Sequence, residues 1–126
     1  MKLIRLSIIM FSVLLILNIF INLGVKSSVD KMNEHITKIE TVSSNDDTNE
    51  YLSLVKELKT DFYKMLDFWK MVINHSEIDE AEESFTKLEA YAKQGDIDNS
   101  IAYLYEFRFW IDNLYEREQI TITNIL

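Results

Sequence analysis

The chain has 126 residues and a net charge of −8, with no cysteine, no proline and only two glycines, Gly24 and Gly95. That length holds one domain and a short flanking segment. The missing cysteines exclude disulfides, thiolate metal sites and a cysteine nucleophile, and the lack of Pro and scarcity of Gly exclude most hairpin and phosphate-loop chemistry, leaving long helices as the natural reading. Beyond Val25 there are 11 basic against 21 acidic residues, a net −10. Such a surface repels phosphate, so no nucleic-acid partner is expected.

Residues 1–5 form a short basic tail carrying Lys2 and Arg5. Residues 6–25 are free of charge, rich in Ile and Leu, and interrupted only by Ser7, Ser12, Asn18 and Asn22 among polar side chains. At about 1.5 Å per residue, this run matches the roughly 30 Å hydrocarbon core of a bilayer. Two readings are open. A signal peptide normally has a shorter apolar stretch, so a transmembrane signal-anchor is favoured over cleavage after Val25. Lys2 and Arg5 precede the run while Lys26 and Lys31 follow it, so the charge balance orients it only weakly. The short basic tail favours a cytoplasmic N-terminus. The expectation is a single-pass protein of the cell membrane with its C-terminal domain outside the cytoplasm.

Residues 26–42 read as a continuation of the same helix. Val25, Val29, Met32, Ile36 and Ile39 are spaced 4, 3, 4, 3, an apolar seam on one face. Packing onto the chain's own domain is favoured over a dimer stalk, because coiled coils need a longer seam. Residues 43–49 (SSNDDTN) form a loop, with Thr48 or Asn49 as candidate cap for the next helix. Residues 50–126 make the helical domain. Its first helix, Glu50 to Ile73, carries the stripe Tyr51, Leu54, Val55, Leu58, Phe62, Met65, Trp69 and Val72.

Asn74-His75-Ser76 breaks this pattern, and Ser76 with Asp79 resembles a capping box for the third helix. Ile78, Ala81, Phe85, Leu88 and Ala92 form its apolar face. Gly95 reads as its C-terminal stop and Asp96 as the next N-cap, which folds the last two helices into an antiparallel hairpin. The fourth helix carries Ile97, Ile101, Leu104, Phe107, Ile111 and Leu114. Ile120 to Leu126 (ITITNIL) is a short tail, either extended or a last helical turn. The fold class is all-α: an N-terminal transmembrane helix extending into a small antiparallel bundle with three further helices and a short C-terminal tail. A faint echo between Glu77-Ile78-Asp79 and Asp96-Ile97-Asp98 lacks a full helical-repeat signature and reads as shared helix-start chemistry.

Candidate chemistry is sparse. No zinc-protease, nucleophile-elbow, dinucleotide or P-loop motif is present, so neither catalysis nor a cofactor is expected. His75, Glu77 and Asp79 could in principle ligate a metal, giving the alternative of a metal- or ligand-binding sensor or enzyme. With no second histidine near, helix capping is the simpler account. His35, beside Glu34, reads as solvated. Tyr63, Tyr103, Phe109 and Tyr115 fall partly off the stripes and are candidates for an exposed aromatic surface suited to a protein partner.

Trp69-Lys70-Met71-Val72-Ile73-Asn74-His75-Ser76-Glu77-Ile78-Asp79 resembles the W-x-x-x-I-x-H-x-E-I-D stretch of the domain-of-unknown-function family DUF4363, short proteins of spore-forming Gram-positive bacteria. Ser84-Phe85-Thr86-Lys87-Leu88-Glu89-Ala90-Tyr91 and Asn124-Ile125-Leu126 resemble two further stretches of that family. The resemblance implies a membrane-anchored helical protein without assigned chemistry. It supplies no catalytic residue, but marks Trp69, His75, Glu77 and Asp79 for a shared structural or binding role. With Tyr103 and Phe109 these are the candidate interaction or structural residues. The expected partners are the lipid bilayer, through the first helix, and an unidentified protein.

Overall fold

The computed structural model describes residues 1–45 and 47–125, with side chains described through Glu116 apart from that of Asp46. Four helices follow one another: α1 (Lys2–Ser43), α2 (Thr48–Val72), α3 (His75–Lys93) and α4 (Ile97–Ile125). Each packs on its sequence neighbour and α4 closes the ring on α1, giving an up-down-up-down bundle. At 42 residues, α1 is about 63 Å long. Only its C-terminal half lies in the bundle.

The seam predicted on α1 is the part that packs there. Val25, Met32, Ile36 and Ile39 are fully buried, and Val29 nearly so. They meet Tyr51, Val55, Leu58, Phe62 and Trp69 of α2, Ile78, Phe85 and Leu88 of α3, and Leu104, Phe107 and Ile111 of α4 in one continuous core. The seam thus serves the chain's own domain. A polar pin crosses this core. Ser100 donates its hydroxyl hydrogen to the Leu88 carbonyl at 3.0 Å, and the Tyr51 hydroxyl meets Ser100 Oγ at 2.7 Å. Burial pushes the Tyr51 phenol up, and its hydrogen bond to Ser100 partly offsets the shift.

Helix ends follow local hydrogen bonding. Asp47, rather than Thr48 or Asn49, caps α2, accepting from the Glu50 N–H at 3.1 Å. Asn74, rather than Ser76, caps α3. Its Oδ1 accepts from the Ser76 N–H at 3.1 Å, which brings His75 and Ser76 inside the helix. Asp96 caps α4 as expected, accepting from the Asn99 N–H at 3.2 Å. Because Asp96 precedes its helix whereas Glu77 lies inside one, the sequence echo between them joins non-equivalent positions. The helix α4 runs unbroken to Ile125, so the tail is helical that far, while Leu126 lies outside the described residues.

Between α3 and α4 the chain reverses through Gly95, at φ +76°. The Asp96 N–H reaches the Tyr91 carbonyl at 3.0 Å and the Gly95 N–H reaches Ala92 at 3.1 Å, the two bonds of a Schellman motif. A Cβ at Gly95 would meet no atom within 4 Å, so backbone strain alone opposes one. Gly95→Ala should therefore cost about 1 kcal/mol, read as a small drop in the thermal midpoint with the fold intact.

Candidate functional site at the foot of the bundle

Two ends of the bundle differ. At the head, the α1–α2 and α3–α4 turns meet around a polar cavity of about 260 Å³ lined by Ser43, Asp47, Tyr51, Gly95 and Asp98. At the foot, α1 leaves the bundle and the α2–α3 junction sits beside it. From Lys2 to Phe20 every residue of α1 is exposed except Leu15, which is half-buried. Ile8, Ile9, Met10, Phe11 and Phe20 are each at least 60% exposed. The two hydroxyls in this stretch are satisfied within the helix: Ser7 donates to the Leu3 carbonyl at 2.9 Å and Ser12 to Ile8 at 2.8 Å. Beyond Lys2 and Arg5 the bare segment therefore shows an apolar surface broken by Asn18, far beyond the patch a soluble monomer leaves in water. By length and composition it is sufficient to cross a membrane.

The junction is held against α1 by a close approach. A Cβ on Gly24 would lie 3.2 Å from Phe68 Cζ, so the missing side chain lets the α2 ring settle on the α1 backbone. One residue on, Trp69 is fully buried, touching Phe62 edge to face with centroids 6.2 Å apart. Its Nε1 has no hydrogen-bond partner among the described residues, nor has the buried Oδ1 of Asn22. Met71, by contrast, is 78% exposed. His75 and Asp79 are exposed in the first turns of α3, whereas Glu77 between them is buried.

The structure does not gather the six candidate residues into one place. Trp69 is core. His75, Glu77 and Asp79 sit at the foot. Tyr103 stacks on Tyr91, which is 16 residues, or roughly 24 Å, along α3 from His75. Lys87 sits over the Tyr103 ring at 5.4 Å, and its hydrogen bond to Glu83 holds the ammonium above the ordinary lysine range. Phe109 is 60% exposed and contacts Trp110, and Tyr63 packs on Phe62 and Phe85. These rings thus attach to different parts of the bundle rather than forming one patch. Tyr105, which the sequence reading passed over, is 55% exposed one turn before Phe109 on the same α4 face. Among the described residues, no group of three or more His, Cys, Asp or Glu is placed to hold a metal ion.

Two polar clusters at α1 carry no local sequence signal. His35 is not solvated: its Nε2 faces the Asp61 carboxylate, which also pairs with Lys31 at 3.6 Å, and the imidazole is only 15% exposed. On the other flank Arg108 donates from Nη1 to Glu40 at 2.8 Å and from Nε to Asn33 at 3.3 Å, while Asn33 donates to Asp112 at 2.9 Å. These contacts lock α1 to α2 and α4 along its outer half. They fix the bundle rigidly to the helix that carries the bare segment.

The family described as Domain of unknown function (DUF4363) matches residues 19–125. The chain belongs to the DUF4363 family. No curated protein and no solved structure matches it. The family match begins at Ile19, so it takes in the foot and the whole bundle, while most of the bare segment lies outside it.

Proposed function

We propose that this DUF4363 chain is a single-pass membrane protein whose bundle acts as a non-enzymatic interaction or structural module on the cell-envelope face. The observation that supports this reading is the division of α1, one unbroken helix with a bare apolar half and a core-packed half. The charge-free run of residues 6–25 spans about 30 Å, close to the hydrocarbon thickness of a bilayer. Lipid accommodates such a surface, because the helix satisfies its own backbone hydrogen bonds there. The non-enzymatic part of the reading rests on the sequence, which offers no nucleophile-elbow, phosphate-loop or zinc-protease motif. Tyr105 and Phe109 supply an exposed aromatic face on α4 for a protein partner.

The test uses the full chain expressed in a bacterial membrane. It should stay with the membrane on alkaline carbonate extraction, with its N-terminal segment intact by mass spectrometry. Phe11→Arg with Leu14→Arg should shift it to the soluble fraction, since each charge near the helix centre opposes insertion by about 2.5–3.5 kcal/mol. Neither side chain touches the core, so the bundle should keep its helical signal. Extraction of the parent, or its recovery without residues 1–25, would sink the anchor reading. A C-terminal reporter active only outside the cytoplasm tests the orientation, and crosslinked detergent extracts compared with a Phe109→Ala chain test the partner face.

A further inference from the structure

The helix register places the α2–α3 junction at the level where α1 leaves the bundle. Asp61 of α2 lies opposite Lys31 and His35, and Phe68, two turns on, lies on Gly24. One more turn brings α2 to Met71 and Val72, and α1 to Phe20 and Ile21, because the two helices run antiparallel. Val72 and Ile21 face inward and pack on the core, while Met71 and Phe20 face outward at 78% and 68% exposure. Leu23, almost one turn nearer the bundle, is 58% exposed. The apolar surface of the bare segment thus continues at this level onto the end of a second helix.

We infer that the α2–α3 junction is a second membrane contact, with Met71 seated in the headgroup–acyl boundary beside the exit of α1. This rests on the anchor reading: with the charge-free run that begins at Leu6 in the membrane, the level of Phe20 and Met71 lies about 8 Å from the end of that run at Val25, within the depth of the headgroup–acyl boundary. An unbranched, flexible methionine suits an irregular lipid interface. Charged groups flank the contact without occupying it. Lys70 pairs with Glu82 at 3.4 Å, Lys26 is exposed on α1, and His75 and Asp79 open α3. Cations and carboxylates are mixed there, so the contact is apolar and needs no anionic lipid. Two anchoring points hold the bundle upright on the bilayer, with its polar head turned away. The buried Trp69 and exposed Met71 then give the junction motif two separate tasks, one in the core and one in lipid.

The absence of cysteine makes single-site labelling clean. Full-length Met71→Cys, Phe11→Cys and Phe109→Cys chains, each carrying an environment-sensitive fluorophore, go into phosphatidylcholine vesicles. Quenching by spin-labelled lipid is compared with quenching by aqueous iodide, and circular dichroism verifies the fold. Phe11→Cys reports the anchor. Lipid quenching at Met71→Cys is expected to reach about half that at Phe11→Cys and to exceed that at Phe109→Cys several-fold. A lipid-quenched Phe11→Cys with Met71→Cys as aqueous as Phe109→Cys would overturn the contact and leave the anchor standing. Protection of Met71→Cys from both quenchers would also overturn it, by showing that protein covers the junction. An aqueous Phe11→Cys would remove the anchor and this contact with it.

Discussion

Trp69→Ala should cost the bundle about 3–5 kcal/mol, a large share of the roughly 5–15 kcal/mol that a domain of this size has in hand.

 The side chain is fully buried where α2 turns into α3, and truncation would leave a void that neighbouring helices can only partly fill. Trp69→Phe should recover much of the loss. It keeps an aromatic ring in the site and removes an Nε1–H that is buried with no partner among the described residues, a group whose desolvation works against folding. Urea unfolding of the full chain in detergent micelles, followed by far-ultraviolet circular dichroism, ranks the two variants against the parent. If Trp69→Ala unfolds at the parent's urea midpoint, the residue is not core and the packing described at the foot is wrong.

Phe62→Ala should be of similar size, about 3–5 kcal/mol, for a different reason. Phe62 is the hub of the aromatic core. Its ring meets Phe107 edge to face at 4.9 Å, Phe85 at 5.4 Å, Tyr63 at 5.5 Å and Trp69 at 6.2 Å. Each such pair adds roughly 0.5–1.5 kcal/mol beyond the area it buries. Phe62→Leu keeps most of the volume and loses the ring contacts, so it should fall between the parent and Phe62→Ala. Because Phe62 and Trp69 touch, the double variant should not show the sum of the two losses. Strict additivity in the same unfolding experiment would show that the two side chains do not share a packing environment.

The sequence by itself determined the helices, their order and the face each turns inward. The 4, 3, 4, 3 spacing from Val25 to Ile39 was enough to show a buried face, because helical periodicity is a local property of the chain. Gly95 was legible for a similar reason: a stop after Lys93 and Gln94 needs a left-handed residue, and glycine adopts that conformation cheaply. Helix starts were less legible. Asp47 and Asn74 displaced the expected caps because several neighbouring side chains could each reach a free N–H, and only the path of the incoming chain selects among them.

Only the tertiary structure decided which polar and aromatic side chains have partners. His35 looked solvated beside Glu34, yet Asp61 comes from another helix to meet it. Arg108 reaches Glu40 and Asn33 across a separation of 68 and 75 residues, a pairing that leaves no trace in either local sequence. The junction motif shows the same limit. Trp69 lies on the predicted stripe and Met71, about 200° around the helix, lies off it, but the pattern of α2 does not say whether another element covers Met71. The packing of Phe68 on the α1 backbone at Gly24 seats this end of α2 on α1, with Trp69 in the core and Met71 left exposed. Periodicity is set within a helix, but exposure is set by what packs against it.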